Sequence, residues 1–242
     1  MIDPDMVFDM ENIPQVEVRV AKDSYRWNVI DGLAGHANRG IELGVAAGSY
    51  SRRMVHSGRF ARFWGVDSYS DNHTTAQYAQ YKEALTHVGI EAPYTLLRMT
   101  FAEALDLFPD NFFDFIYVDG YAHTGEEGGR TMIDWYAKLR VGGIMAGDDY
   151  SPKKWPLVVW GVNHFVQQLD VALNVTDQVM DATYNRFPSW FFEKPDRAPA
   201  LPLRADPELI TIGGAARLAR EAEDRAKRRA RREARAKTKD QP

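Results

Sequence analysis

Cysteine is absent from the 242-residue chain. That excludes a disulfide framework, a thiolate metal site and any mechanism that attacks through a thiolate, base methylation by a covalent cysteine adduct included. It also fits a reducing, cytoplasmic setting. No apolar run approaches the roughly 20 residues that a membrane span needs, so no membrane partner is expected. The opening Met1-Ile2-Asp3-Pro4-Asp5 is acidic where a secretory leader would be basic. Internal repeats are missing too. Basic charge is scarce except in one place. Residues 213–242 hold 11 Lys or Arg against 5 Asp or Glu, which leaves 19 against 29 in the rest of the chain. An acidic body repels a polyanion, so composition argues against a nucleic-acid partner for the main domain.

What is present suits one domain with appendages. Hydrophobic residues make up 45% of the chain, enough for a sizeable core. Strand-like runs at 40–45, 60–66, 94–99, 112–118 and 143–146 alternate with helical stretches at 49–57, 74–88, 101–108, 126–140 and 155–169. This alternation predicts an α/β fold with a doubly wound, mostly parallel sheet covered on both faces. Two further runs, 171–175 and 190–193, have no helix between them and are expected to pair antiparallel at an edge, giving seven strands in all. The expected organisation is a helical or extended preface over 1–35, with a helix over 23–33, and the main domain over 36–194. A Pro-rich linker over 195–212 and a basic Ala/Arg-rich tail over 213–242 follow.

Two acidic clusters carry the chemistry. Asp119 ends the run Ile116-Tyr117-Val118, and Asp148-Asp149 follow Ile144-Met145-Ala146-Gly147. A crossover helix between the two strands makes them parallel, so both acidic ends emerge at the carboxyl edge, where open α/β sheets bind ligands. Three converging carboxylates call for a counter-charge, and a hard divalent cation such as Mg2+ is the economical one.

Earlier in the chain, Ile41-Glu42-Leu43-Gly44-Val45-Ala46-Ala47-Gly48 runs from a strand through a glycine-containing turn into a helix, and Asp67 ends the next strand. The spacing is Glu-x-Gly-x-x-x-Gly, without the second close-approach glycine of a dinucleotide loop. An acid in the position of Asp67 is placed to accept hydrogen bonds from a ribose diol. These residues resemble the cofactor site of class I S-adenosylmethionine (SAM) methyltransferases. Val118-Asp119-Gly120 and Gly142-Gly143-Ile144-x-x-Gly147-Asp148-Asp149-Tyr150 resemble the metal-dependent small-molecule O-methyltransferases among them, the sugar and catechol enzymes. The resemblance covers about residues 40–193 and implies a Rossmann-like fold.

The resemblance also implies roles. Gly44 and Gly48 would face the methionine part of SAM, and Glu42 would orient its amino group. Asp67 would bind the ribose, and Thr100-Phe101 would contact adenine. Asp119 would border the cofactor and, with Asp148 and Asp149, hold Mg2+. Relatives often place a base three residues after the first metal carboxylate, but that position here is Ala122. His123 lies one further on, which leaves His123, Asp119 itself or a more distant residue as the base. The implied acceptor is a small molecule with vicinal oxygens, a saccharide before a catechol. Trp155 and Trp160 are both candidates to wall the acceptor pocket, Trp155 the better placed as its edge and Trp160 equally suited to the core. The tail pattern of Ala219, Ala222, Ala226, Ala230 and Ala234 predicts a solvated helix or a disordered segment, with packing in a homo-oligomer or contact with an anionic surface as the alternatives. The rival readings are a metal-independent nucleic-acid methyltransferase recruited through this tail and a non-catalytic SAM-binding assembly module.

Overall fold

The computed structural model describes residues 13–69, 75–91, 93–120, 122–179 and 186–239. Eight strands form one sheet, β1 Val18–Ala21, β2 Asn38–Leu43, β3 Phe60–Val66, β4 Tyr94–Leu97, β5 Phe113–Val118, β6 Leu139–Gly147, β7 Leu173–Thr176 and β8 Trp190–Glu193. Their order across the sheet is β1-β7-β8-β6-β5-β2-β3-β4. All pair in parallel except β8, which runs antiparallel to both β6 and β7. The antiparallel pairing forms, but β1 adds in parallel beyond β7, so that pair lies one strand in from the edge.

The helices are α1 Ser49–His56, α2 Thr75–Val88, α3 Phe101–Leu105, α4 Arg130–Tyr136, α5 Pro156–Leu169 and α6 Pro207–Lys239. On one face of the sheet Ile41, Leu43, Ile116, Val118 and Met145 pack against Met132 and Trp135 of α4 and Val162, Phe165 and Val166 of α5. On the other, Phe63, Phe115, Tyr117, Ile144 and Ala146 pack against Tyr50 and Met54 of α1 and against Val29 and Ile30. Each fully buried Ile, Leu, Val, Phe or Met among them contributes about 1.5–3 kcal/mol.

Three elements depart from the sequence expectation. The helix expected over 23–33 reduces to one 3-10 turn, Asn28–Ile30. Asp23 has a φ of 57°, and the Asn28 side chain accepts from the Tyr25 backbone N–H at 2.9 Å while donating to Asp31. Such local bonds give the backbone an alternative to the helix. The crossover helix expected over 126–140 divides into a π-helical turn, Ala122–Glu126, and the shorter α4. Gly128 and Gly129 break it, with φ of 65° and 77°. At the C-terminus α6 begins at Pro207, inside the expected linker. Its start is docked, with Leu209 fully buried and Arg220 paired with Glu126 of the π turn.

Candidate functional site

The site lies at the carboxyl edge of the central strands. β5 and β6 pair with Val118 opposite Gly147, which sets Asp119 beside Asp148. β2 pairs with β5 on the other side, and the Asp119 backbone N–H donates to the Leu43 carbonyl at 2.9 Å. The chain then turns at Gly44, whose φ is 99° and whose N–H donates to Val66 of β3. A Cβ on Gly44 would overlap the Asp119 carbonyl oxygen, so this close approach admits only glycine. Gly48, with a φ of 81°, caps the N-terminus of α1.

A cleft of about 250 Å³ opens here, lined by Gly44, Asp67, Ser68, Thr100, Phe101 and Asp119. Five of these six were candidates from sequence. Ser68 was not, though its place beside Asp67 was a signal for it. Asp67 is partly engaged with the loop, one carboxylate oxygen accepting from the N–H groups of Val45 and Ala46, both at 3.0 Å, and the other from Tyr69 at 2.9 Å. A carboxylate has about four acceptor positions, so capacity remains for a ligand. Thr100 is the N-cap of α3. It and Glu103 bond reciprocally, Thr100 N–H to the Glu103 carboxylate at 2.8 Å and Glu103 N–H to the Thr100 hydroxyl at 3.2 Å.

Glu42 does not line this cleft. Successive strand residues face opposite sides, so Ile41 and Leu43 enter one core while Glu42 points beneath α1. There it is 1% exposed and accepts a short hydrogen bond from the Ser51 hydroxyl. Burial, reinforced by the nearby charge of Asp119, pushes its pKa well above the usual carboxylate range.

The acidic cluster holds a residue that sequence reasoning missed. The guanidinium of Arg26, from the loop after β1, donates to Asp119 Oδ2 at 2.8 Å and pairs with Asp148 Oδ2 at 3.2 Å. Its side chain is 7% exposed. It lies over the stacked rings of Tyr50 and Tyr117, 4.7 and 5.4 Å from their centroids. Burial opposes the charge of Arg26, but Tyr117, Asp148 and Asp119 outweigh it and raise the pKa well above the ordinary value. Asp148 also accepts from Ser189 Oγ at 3.3 Å. Burial lifts Asp148 to about 6 against the opposing pull of Arg26. Asp149 is lifted to about 7, by burial first and then by Asp148 and Asp119. Among the described residues, Asp119, Asp148 and Asp149 do not assemble into a metal-binding group. The donor set expected for Mg2+ does not fit a dication as arranged, because two of its three carboxylates are already joined through a buried guanidinium.

His123 falls in the π turn, and its side chain lies outside the described residues, as do Thr74 and all of 70–74. Trp155 makes an edge contact with Phe187 at 6.1 Å. Trp160 is in the core, its indole N–H donating to Asp206 at 2.9 Å.

Residues 41–150 match the model of a family described as a methyltransferase domain. Among solved structures, the chain is similar to the spermidine synthase of Thermotoga maritima at 16% identity and a TM-score of 0.51. A spermidine synthase in complex with the transition-state analogue AdoDATO gives 17% and 0.51. Both matches cover 77% of this chain and 62% of the other, so the chain spans less than two thirds of those proteins. The N-methyltransferase NodS from Bradyrhizobium japonicum WM9 is 16% identical with a TM-score of 0.48, over 71% of this chain and 94% of that one. No curated protein matches the chain. At these identities the structural likeness establishes the Rossmann-like fold. The family match, to a methyltransferase domain, spans the Gly44 turn and the acidic strand ends and covers less than half of the chain. Among the described residues no helix is long and apolar enough to cross a membrane.

Proposed function

We propose that the protein transfers the methyl group of SAM to a hydroxyl oxygen of a small polyhydroxylated acceptor, a saccharide before a catechol-like phenol. The observation that carries this reading is the cleft between Gly44, Asp67, Thr100, Phe101 and Asp119. It joins a backbone-close glycine turn, a carboxylate for the ribose diol and an aromatic ring for the adenine at one sheet edge. The acidic cluster borders it through Asp119, and this polar rim favours an acceptor rich in hydroxyls.

In the transfer, the acceptor oxygen attacks the methyl carbon in line as the carbon–sulfur bond breaks. The sulfonium becomes a neutral thioether, and the hydroxyl proton passes to a base. His123, whose imidazole can take up a proton, is the first candidate for that base. Asp119, which already borders the cleft, is the second. Most of the acceleration would come from holding oxygen, methyl and sulfur in line. The transfer is written without Mg2+, because Asp119 and Asp148, two of the three carboxylates that would hold it, are paired with Arg26.

The test is methyl transfer from isotopically labelled SAM to panels of sugars, catechols and amines, with His123→Ala and Asp119→Asn alongside the wild type. Label on a sugar or phenol oxygen, lost in one of the two variants, supports the reading. Label only on nitrogen refutes the acceptor class.

A further inference from the structure

A cluster of carboxylates at a sheet edge can be neutralised by a bound dication or by a side chain of the protein itself. We infer that Arg26 is the resident counter-charge of the Asp119–Asp148 cluster and the positioning residue for Asp119. The site is then built around a cation of the chain where the motif alone would call for a metal. The inference rests on the methyl-transfer reading for what the cluster serves, and on geometry alone for how the cluster is neutralised.

The two carboxylates are divided between the two terminal nitrogens of one planar group, Nη2 to Asp119 and Nη1 to Asp148. A forked guanidinium can do this, whereas the point charge of a lysine cannot hold both directions equally well. The stacked tyrosines beneath, with ring centroids 4.0 Å apart, hold the group from its other side. Their register is fixed in turn by the fold. Tyr117 is on β5, and its hydroxyl shares a 3.1 Å hydrogen bond with Ser189, which also donates to Asp148. The Ser189 backbone N–H donates to Thr176 of β7 at 2.9 Å.

The backbone that delivers Arg26 is anchored at the same edge. The Ser24 N–H donates to Asp177 at 3.1 Å, and the Ser24 carbonyl accepts from the Gln178 N–H at 2.9 Å. Strand β1 and its following loop therefore serve the site as well as the sheet. Asp148 has both oxygens engaged, one by Arg26 and one by Ser189. Asp119 differs, because its side chain is 29% exposed and lines the cleft while Arg26 holds Oδ2. Arg26 thereby sets how that carboxylate is presented to a ligand. A dication on these oxygens would have to share them with a guanidinium of like charge, or displace a side chain that is almost fully buried.

The experiment is an Mn2+ titration of the full chain, followed by calorimetry and thermal melting, for wild type, Arg26→Lys and Arg26→Met. Each is run with and without S-adenosylhomocysteine, the demethylated product. The wild type is expected to show no Mn2+ stabilisation, and its product affinity should not change with EDTA. Arg26→Met, with its carboxylates uncompensated, should bind Mn2+ at least about tenfold more tightly than wild type. Arg26→Lys keeps a charge at the position and should stay metal-insensitive. A wild type that binds Mn2+, or whose product affinity falls with EDTA, overturns the inference, and so does an Arg26→Met variant that folds yet gains no metal affinity. Should Arg26→Met fail to fold, the wild type and Arg26→Lys titrations decide by the same criterion. Loss of product binding in the wild type would strike the methyl-transfer reading instead, and the metal titration, which needs no cofactor, would still judge Arg26.

Discussion

Replacing Gly44 by alanine should damage stability and cofactor binding together, and a neighbouring glycine separates the two causes. Gly44 has a φ of 99°, and an added Cβ would overlap the Asp119 carbonyl oxygen. Neither side can retreat freely. Gly44 is tied to Val66 at 2.8 Å, and Asp119 is tied to Leu43 at 2.9 Å. The left-handed backbone costs a non-glycine residue about 1–2 kcal/mol, and forcing extra volume into a packed site adds about 1–3 kcal/mol. The combined loss of about 2–5 kcal/mol corresponds to a fall in Tm of about 4–20 °C for a chain of this size. Gly58 is the control, since its φ is 71° but nothing lies within 4 Å of an added Cβ. Gly58→Ala should therefore show the backbone cost alone, about 1–2 kcal/mol. Thermal melting and product titration on both variants check this. A Gly44→Ala protein that melts like Gly58→Ala and binds S-adenosylhomocysteine like wild type would refute the close-approach argument.

Other outcomes follow from the same geometry. Asp67→Ala should weaken product binding by at least about tenfold, the loss of one good charge-assisted hydrogen bond, and isothermal titration would show it; unchanged affinity would remove Asp67 from the ribose site. Asp149, lifted to about 7, binds its proton more readily when folded than when unfolded. Stability contributed by that proton is therefore present at low pH and lost as pH rises from about 4 through about 7. Asp149→Asn should flatten this loss, so its melting temperature should fall less than that of wild type between pH 5 and pH 8; parallel curves would contradict it. Leu209, fully buried where α6 docks, should cost about 2–5 kcal/mol when cut to alanine. Removal of residues 222–242, whose described side chains are exposed, should leave the melting temperature within about 2 °C of wild type. A large drop on that truncation would show that the outer helix packs on something.

The central strands were legible because each is a short apolar run punctuated by glycine or aspartate, and β5 and β6 carry their acids at the same end. Their crossover then dictates which residues meet. That Gly44, Asp67, Thr100 and Asp119 gather at one cleft was legible for the same reason, since all sit just past strand ends. β1 was not read as part of the sheet because it is a four-residue edge strand with three exposed positions, so no buried face imprints a period on it. Arg26 left no local signal at all. Its partners are 93 and 122 positions away, and only the parallel pairing of β1 with β7 brings it to the acids. Glu42 illustrates the opposite case, since its strand position was right but strand alternation turns it away from the cleft.

A calorimetric titration of S-adenosylhomocysteine into the wild-type protein tests the cleft most directly. Saturable one-site binding, weakened in Asp67→Ala, is the predicted result. No binding heat in a protein that melts cooperatively would contradict the assignment of the Gly44–Asp67–Asp119 cleft as a SAM site, and the proposed methyl transfer with it.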